Sequence, residues 1–401
     1  AAACGGAGCS GGADRAAGGA NRSPDATADA LLAVTVGDAG RLTVSGGDPD
    51  GDPVRVSWGA LPEGAVAEGR ELRFSPADAG EWTATATLED GRGGTAQTVV
   101  LLRARHPARP HTLAALGDSV ASGHGLDGND LAGGDRCFRA EAAAYPKLAL
   151  DQLSARGALG GGSGELVLAA CSGHTAAQVA SAAVPAPAAF AGEGDGRSQL
   201  EWAVRANPRV AVITAGANDI RFSRPAELLA GDGTLDEATL RTRLDAASGA
   251  LDAVLRRLLT ATDAVIVLTT YHNPTGAEPR GVPGCAGACF AQLAERVSGE
   301  LNLTVRDAAA RSASARVVTA DPGASFAGHG AGPARASTAE NPALAALFER
   351  VAGGAAAYCG QSAPPGGTWV SALDCVHPNA AGAAAYADAV LRALDEAHAL
   401  G

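Results

Sequence analysis

Two rhythms divide the chain. Over residues 26–104, short runs with strand chemistry (LLAVTV, RLTVS, PVRVSW, ELRFS, EWTATATL and TAQTVVLL) alternate with the turn clusters GGDPDGDP, PADAG and EDGRGG. Strands at this spacing with Gly, Asp and Pro turns predict a small β-sandwich. From residue 112 onward the apolar runs TLAALG, ELVLAA, RVAVITAG, AVIVLTT and ARVVTA alternate with helical stretches near 140–156, 175–182, 236–260, 287–310 and 380–398. Apolar strands separated by longer helices predict an α/β domain whose parallel sheet is covered on both faces. Long Pro/Gly/Ala connections at 183–198, 274–290 and 321–345 are expected to border a pocket. Residues 1–25 are Gly, Ala and Ser with almost no large apolar side chain, and read as a flexible tether. Residues 105–111 carry two Pro among charged residues and read as a linker, leaving 112–401 for the α/β domain.

Composition narrows this picture. With 46% hydrophobic and 18% charged residues the chain can bury a substantial core, which excludes wholesale disorder. No apolar run reaches the roughly eighteen residues of a membrane span. A net charge of −12 without a dense basic cluster excludes nucleic acid as an expected partner.

Eight cysteines, at 4, 9, 137, 171, 285, 289, 359 and 375, are an even set that points to disulfides and an oxidising compartment. The rival is a metal site built on Cys285, Cys289 and a third ligand, disfavoured because the paired C-x-x-C spacing of zinc ribbons is absent. The start Ala-Ala-Ala-Cys, in a chain without Met, predicts a processed N-terminus. Cys4 ahead of a Gly-rich tether resembles the lipidated cysteine of bacterial lipoproteins, with a Cys4–Cys9 disulfide or two free thiols as the alternatives. Asp48, Asp50 and Asp52 offer oxygen ligands to calcium, but Asp-Pro-Asp-Gly-Asp is also good turn chemistry, and the turn is preferred.

Candidate chemistry collects at three loop ends. The first strand of the α/β region ends in Leu116-Gly117-Asp118-Ser119, and the third in Gly216-Ala217-Asn218-Asp219. Asp374-Cys375-Val376-His377-Pro378-Asn379 leads into the last helix. Open α/β sheets expose reactive groups at the carboxyl ends of their strands. Ser, Asn, Asp and His placed there supply a nucleophile, an oxyanion donor, an orienter and a base.

GDSVASGHG, CSGHTA, GAND and DCVHPN, in this order over roughly 112–398, resemble the successive blocks of the SGNH (GDSL) hydrolase superfamily. The cysteines add a similarity to its secreted actinobacterial lipases and esterases. DPDGDPVRVSW and SPADAGEWTATATLEDGRGG resemble bacterial Ig-like and cadherin-like modules. The resemblance implies a flavodoxin-like three-layer α/β/α sandwich with five parallel strands. It implies Ser119 as nucleophile, His377 as general base and Asp374 as its partner. The backbone N–H groups of Ser119 and Gly173 and the Asn218 amide match the oxyanion donors. Gly123 and Gly125 continue the first block and need no chemical role. Some members orient the histidine with a backbone carbonyl; here Asp374 stands three residues upstream, although it can also be read as an N-cap of the last helix. No metal and no organic cofactor is implied.

In that fold Cys137 and Cys171 fall on neighbouring elements and are expected to pair. Cys359 with Cys375 and Cys285 with Cys289 complete the set, a cross-pairing among these four remaining open. Asp118 and Asp219 are expected to fix their loops. His124, His174, His272 and His329 are read as surface or pocket-rim residues, and Trp202, Tyr271 and Trp369 as core or rim packing. The expected protein is a monomeric, secreted or lipid-anchored carboxylic ester hydrolase that acts through an acyl-enzyme on small-molecule or lipid esters outside the cell. The alternatives are a non-catalytic surface or adhesion protein on a hydrolase scaffold, and a carbohydrate deacetylase.

Overall fold

The computed structural model describes residues 20–26, 30–126, 136–194, 196–222, 225–228, 230, 234–274, 286–327, 329 and 377–400. The chain divides into two compact units, Ala1–Ala77 with Glu81–Arg103 and Asp78–Gly80 with Ala104–Gly401.

The first unit is all β. A short antiparallel pair joins β1 (Asp25–Ala26) to β4 (Gly46–Gly47). One sheet runs β2 (Ala30–Thr35), β9 (Thr95–Arg105), β8 (Gly80–Glu89), β5 (Arg55–Trp58). The other runs β3 (Gly40–Thr43), β7 (Glu71–Phe74), β6 (Ala65–Glu68). Alternate residues point inward, and Leu72, Phe74, Leu88, Val100 and Leu102 are fully buried. The Asp48 carboxylate accepts from the N–H groups of Asp50 at 2.8 Å and Asp52 at 3.3 Å, the chemistry of a tight turn. Arg22 pairs with Asp50 at 2.7 Å and Arg92 with Asp52 at 3.1 Å, so two of the three carboxylates have a guanidinium partner.

The second unit is a parallel sheet flanked by helices. Its strands are β10 (Arg109–Gly117), β11 (Glu165–Leu168), β12 (Pro208–Thr214), β13 (Val265–Thr269) and β14 (Val317–Ala320). They lie in the order β11-β10-β12-β13-β14, all parallel. This is the flavodoxin-like order, in which the direction of winding reverses between β10 and β12. The loops leaving those two strands therefore diverge and open a crevice at their carboxyl ends. A one-turn helix, α1 (Ser119–Ser122), follows β10 directly. The remaining helices are α2 (Tyr145–Ala155), α3 (Ala176–Ser181), α4 (Gln199–Ala206), α5 (Glu237–Ala261), α6 (Ala286–Arg311) and α7 (Ala380–Glu396). Helices α2 and α7 pack on each other and on the sheet; α4 and α6 also pack on the sheet, with α3 and α5 against them. Every residue of β13 is buried, as expected of a strand covered on both faces.

Several local readings change. Residues 109–111, inside the stretch of linker composition, belong to β10. Pro110 has no N–H to give the ladder, and the register with β12 shifts between Arg109 and Leu113 to accommodate it. Helix α2 begins at Tyr145 rather than near 140, because Pro146 suits the first helical turn. Five short elements, β1, β4, β6, α1 and α4, were not anticipated. The 183–198 connection sends Phe190 to stack on Trp202, with ring centroids 5.1 Å apart, rather than lining the pocket described next.

Candidate active site

The turn after β10 puts a serine on display. Gly117 has φ +129, and a Cβ there would lie 1.9 Å from the Thr214 carbonyl oxygen, so only glycine lets β10 and β12 approach this closely. Its backbone is held by the fully buried Gln199, whose Oε1 accepts from Gly117 N–H at 2.7 Å and whose Nε2 donates to Gly117 O at 3.0 Å. Asp118 caps α1, its carboxylate accepting from Val120 N–H at 3.0 Å. Ser119 is then the first helical residue, with its carbonyl accepting from Gly123 and His124 N–H at 3.1 and 3.0 Å.

His377 arrives from the other end of the chain. Asn379, two residues on, caps α7 by accepting from Ala381 and Gly382 N–H at 3.0 and 3.1 Å, so the cap of the last helix is Asn379 and not Asp374. This anchors the segment from which the imidazole reaches Ser119, with Nε2 2.6 Å from Ser119 Oγ.

The loops after β11 and β12 are bound to each other. Thr175 and Gln178 form a capping box at the start of α3. Asn218 Nδ2 donates to His174 O at 2.9 Å, and the Asp219 carboxylate accepts from Ala176 N–H at 2.8 Å. Burial pushes the Asp219 carboxyl above its ordinary range. Gly173 has φ +81 in the tight turn between Cys171 and His174, whose N–H donates to Cys171 O at 3.2 Å. Cys137 and Cys171 form a disulfide, and Ser172 N–H donates to Cys137 O at 3.1 Å, so the bridge sits at the root of this loop.

A pocket of about 260 Å³ collects these groups: Ser119, Gly173, Asn218 and His377 line it beside the apolar Val120, Phe222 and Leu301. With its proton on Nδ1, His377 can take the Ser119 proton through Nε2 while Oγ attacks an electrophile. An amide has two N–H groups; Asn218 spends one on His174 and has a second to offer a developing oxyanion. Among the described residues, the carboxylates close enough to share a cation are Asp48, Asp50 and Asp52, which lie in the all-β unit and not in this pocket. Asp374, Cys285, Cys359, Cys375 and Trp369 lie outside the described residues, as do Cys4, Cys9 and the side chain of Cys289.

Several residues contribute more than the sequence suggested. Tyr271, read as packing, donates its hydroxyl to the Asp118 carboxylate at 2.5 Å and accepts from Ala217 N–H at 3.3 Å. Burial pushes the Asp118 carboxyl up to about 6, opposed by these bonds from Tyr271 and Val120. His272 lines the pocket, as a rim residue should, but is almost fully buried; it stacks on Phe326 with centroids 4.3 Å apart, and its Nδ1 lies 2.9 Å from the Tyr386 hydroxyl. His174 is half-buried, which lowers its pKa, and meets Gln199 Nε2 at 3.1 Å. Trp202 is fully buried core. His329 is half-buried and not among the described residues lining the pocket.

A parallel α/β sheet with a serine–histidine pair at its carboxyl edge defines a hydrolase-type architecture. Residues 115–307 match the model of the GDSL-like Lipase/Acylhydrolase family, and residues 21–103 match that of the Bacterial Ig domain. Among solved structures, an extracellular lipase from Streptomyces rimosus is similar at 20% identity over 70% of this chain and 99% of its own, with a TM-score of 0.44. A phospholipase A1 from Streptomyces albidoflavus NA297 is similar at 21% identity over 71% of this chain and 99% of its own, with a TM-score of 0.42. A comparison with curated protein sequences finds no match. Among the described residues no helix is long and apolar enough to cross a membrane.

Proposed function

We propose that the α/β unit is a serine-dependent carboxylic ester hydrolase of the lipase or esterase type, working through an acyl-enzyme on Ser119. The observation that carries this reading is the 2.6 Å approach of Ser119 Oγ to His377 Nε2 on the wall of the pocket. His377 removes the hydroxyl proton as Oγ attacks the ester carbonyl carbon. The carbonyl oxygen becomes an oxyanion, held by the N–H groups of Ser119 and Gly173 and by the Asn218 amide. Such donors typically contribute about 2.7–4 kcal/mol each to the transition state. Collapse expels the alcohol with the proton from His377, and water repeats the sequence to release the acid. Asp374 is assigned to Nδ1 of His377, where it selects the productive tautomer and stabilises the imidazolium.

The apolar side chains of Val120, Phe222 and Leu301 favour esters with an apolar acid or alcohol part, either small molecules or lipids. The Cys137–Cys171 disulfide supports action in an oxidising compartment outside the cytoplasm. The protein is secreted, or held at a bacterial surface through a lipid on Cys4. The enzyme works as a monomer. A chain-length series of p-nitrophenyl esters tests the reading. Turnover with at least one member, abolished in Ser119→Ala, is expected. A folded protein that hydrolyses none of them would favour a non-catalytic surface module.

A further inference from the structure

The imidazole of His377 does not stand alone. The ring of His124 lies face to face with it, centroids 4.8 Å apart and planes within 9° of parallel. His124 also meets Phe138, centroids 4.8 Å apart, and its Nδ1 lies 2.8 Å from the Ser172 hydroxyl. Its backbone N–H donates to the carbonyl of Ser119 at 3.0 Å. One residue thus touches the ring of the base and the residue before Gly173 with its half-buried side chain, and the turn that carries the serine with its backbone.

We propose that His124 is a positioning residue: it holds the plane of the His377 imidazole by stacking, and couples that plane through Ser172 to the loop bearing Gly173. This rests on reading Ser119 and His377 as nucleophile and base. A general base must keep its acceptor atom within hydrogen-bond reach of the proton it removes. An imidazole on a chain segment ahead of a helix can rotate about two side-chain bonds. A parallel ring against its face opposes tilting out of plane while leaving the edge bearing Nε2 clear. The Ser172 contact fixes His124 in turn, so both reacting groups and the oxyanion loop share one brace. Misplacements of about 1 Å at such a base can cost a hundredfold in rate.

The test compares His124→Phe, His124→Leu and His124→Ala in the full chain, with Ser119→Ala and His377→Ala as references. Phenylalanine keeps a flat ring, and the proposal expects kcat within about threefold of wild type. Leucine fills space without a planar face, and alanine fills none; both should lower kcat by roughly ten- to a hundredfold with KM within about twofold. A second reading avoids turnover altogether. In protein with 13C-labelled histidine, the ring-current shift of the His377 Cε1 proton should persist in His124→Phe and vanish in His124→Leu. Equal loss in all three variants would mean that the Ser172 bond or a proton of His124, rather than the stacked face, does the work, and would overturn the stacking role. Unchanged kcat in His124→Leu with the His377 shift unaltered would overturn it as well. Activity retained in Ser119→Ala and His377→Ala would instead defeat the underlying catalytic reading.

Discussion

The hydroxyl of Tyr271 donates to the carboxylate of Asp118 across 2.5 Å, while its oxygen receives the N–H of Ala217 at 3.3 Å. It therefore links the turn that presents Ser119 to the loop that presents Asn218, a join between neighbouring strands made by a residue from a third. Tyr271→Phe removes both bonds and keeps the ring. We expect kcat to fall about tenfold with little change in KM. Stability should drop by roughly 1–3 kcal/mol, since a buried carboxylate loses a donor. Steady-state kinetics and urea unfolding check the two parts.

Asp118 gives a pH signature of its own. Burial holds its carboxyl at about 6 against an ordinary 3.8, so the folded protein keeps a proton that the unfolded chain has released. A native pKa above the unfolded one means that stability from this group is greatest below about pH 4 and declines as pH rises to about 6. The decline amounts to roughly 3 kcal/mol. Asp118→Asn cannot titrate and should lack this term. The difference between the two unfolding free energies, followed from pH 4 to pH 7, should change in favour of the variant as pH rises; a constant difference would contradict it.

The Cys137–Cys171 bridge closes a long loop and anchors Ser172 through the Cys137 carbonyl. Replacing both cysteines by serine should cost about 2–4 kcal/mol of stability. If the anchor also sets Gly173, kcat should fall at temperatures where the variant remains folded. Calorimetry and kinetics on the same sample separate these effects.

Asp374→Asn should cut kcat strongly and leave KM nearly unchanged, because it removes an interaction made to the imidazolium. The capping alternative has lost its helix, since Asn379 occupies the N-cap of α7. Near-wild-type kcat in this variant would move the orienting role to a backbone carbonyl and leave the Ser119–His377 dyad in place.

The parts legible in the sequence were those with strong local signals. Each of β10 to β14 contains a short apolar run, and such runs can be recognised without knowing their neighbours. Helix α4 has eight residues, too few for a periodic pattern to stand out, although Ser198 and Glu201 form a capping box that could have announced it. Strand β6 has four residues and offered no such signal. Arg109–His111 misled because proline and charge are loop chemistry until an irregular register makes room for them. Within the site, Ser119 and His377 stood in short motifs, whereas Tyr271, Gln199 and His124 owe their importance to partners brought close only by folding. Gln199 meets Gly117 from 82 positions away, and Tyr271 meets Asp118 from 153. No window of sequence contains such pairs.

The central claim is that Ser119 is a nucleophile made reactive by His377. Its most direct test is covalent: incubation with diethyl p-nitrophenyl phosphate, followed by intact mass measurement and peptide mapping. One diethyl phosphoryl group per chain, located on Ser119, should accumulate in step with the loss of esterase activity, and labelling should be slowed strongly in His377→Ala. Full labelling at another residue, or full activity in protein phosphorylated on Ser119, would contradict the account.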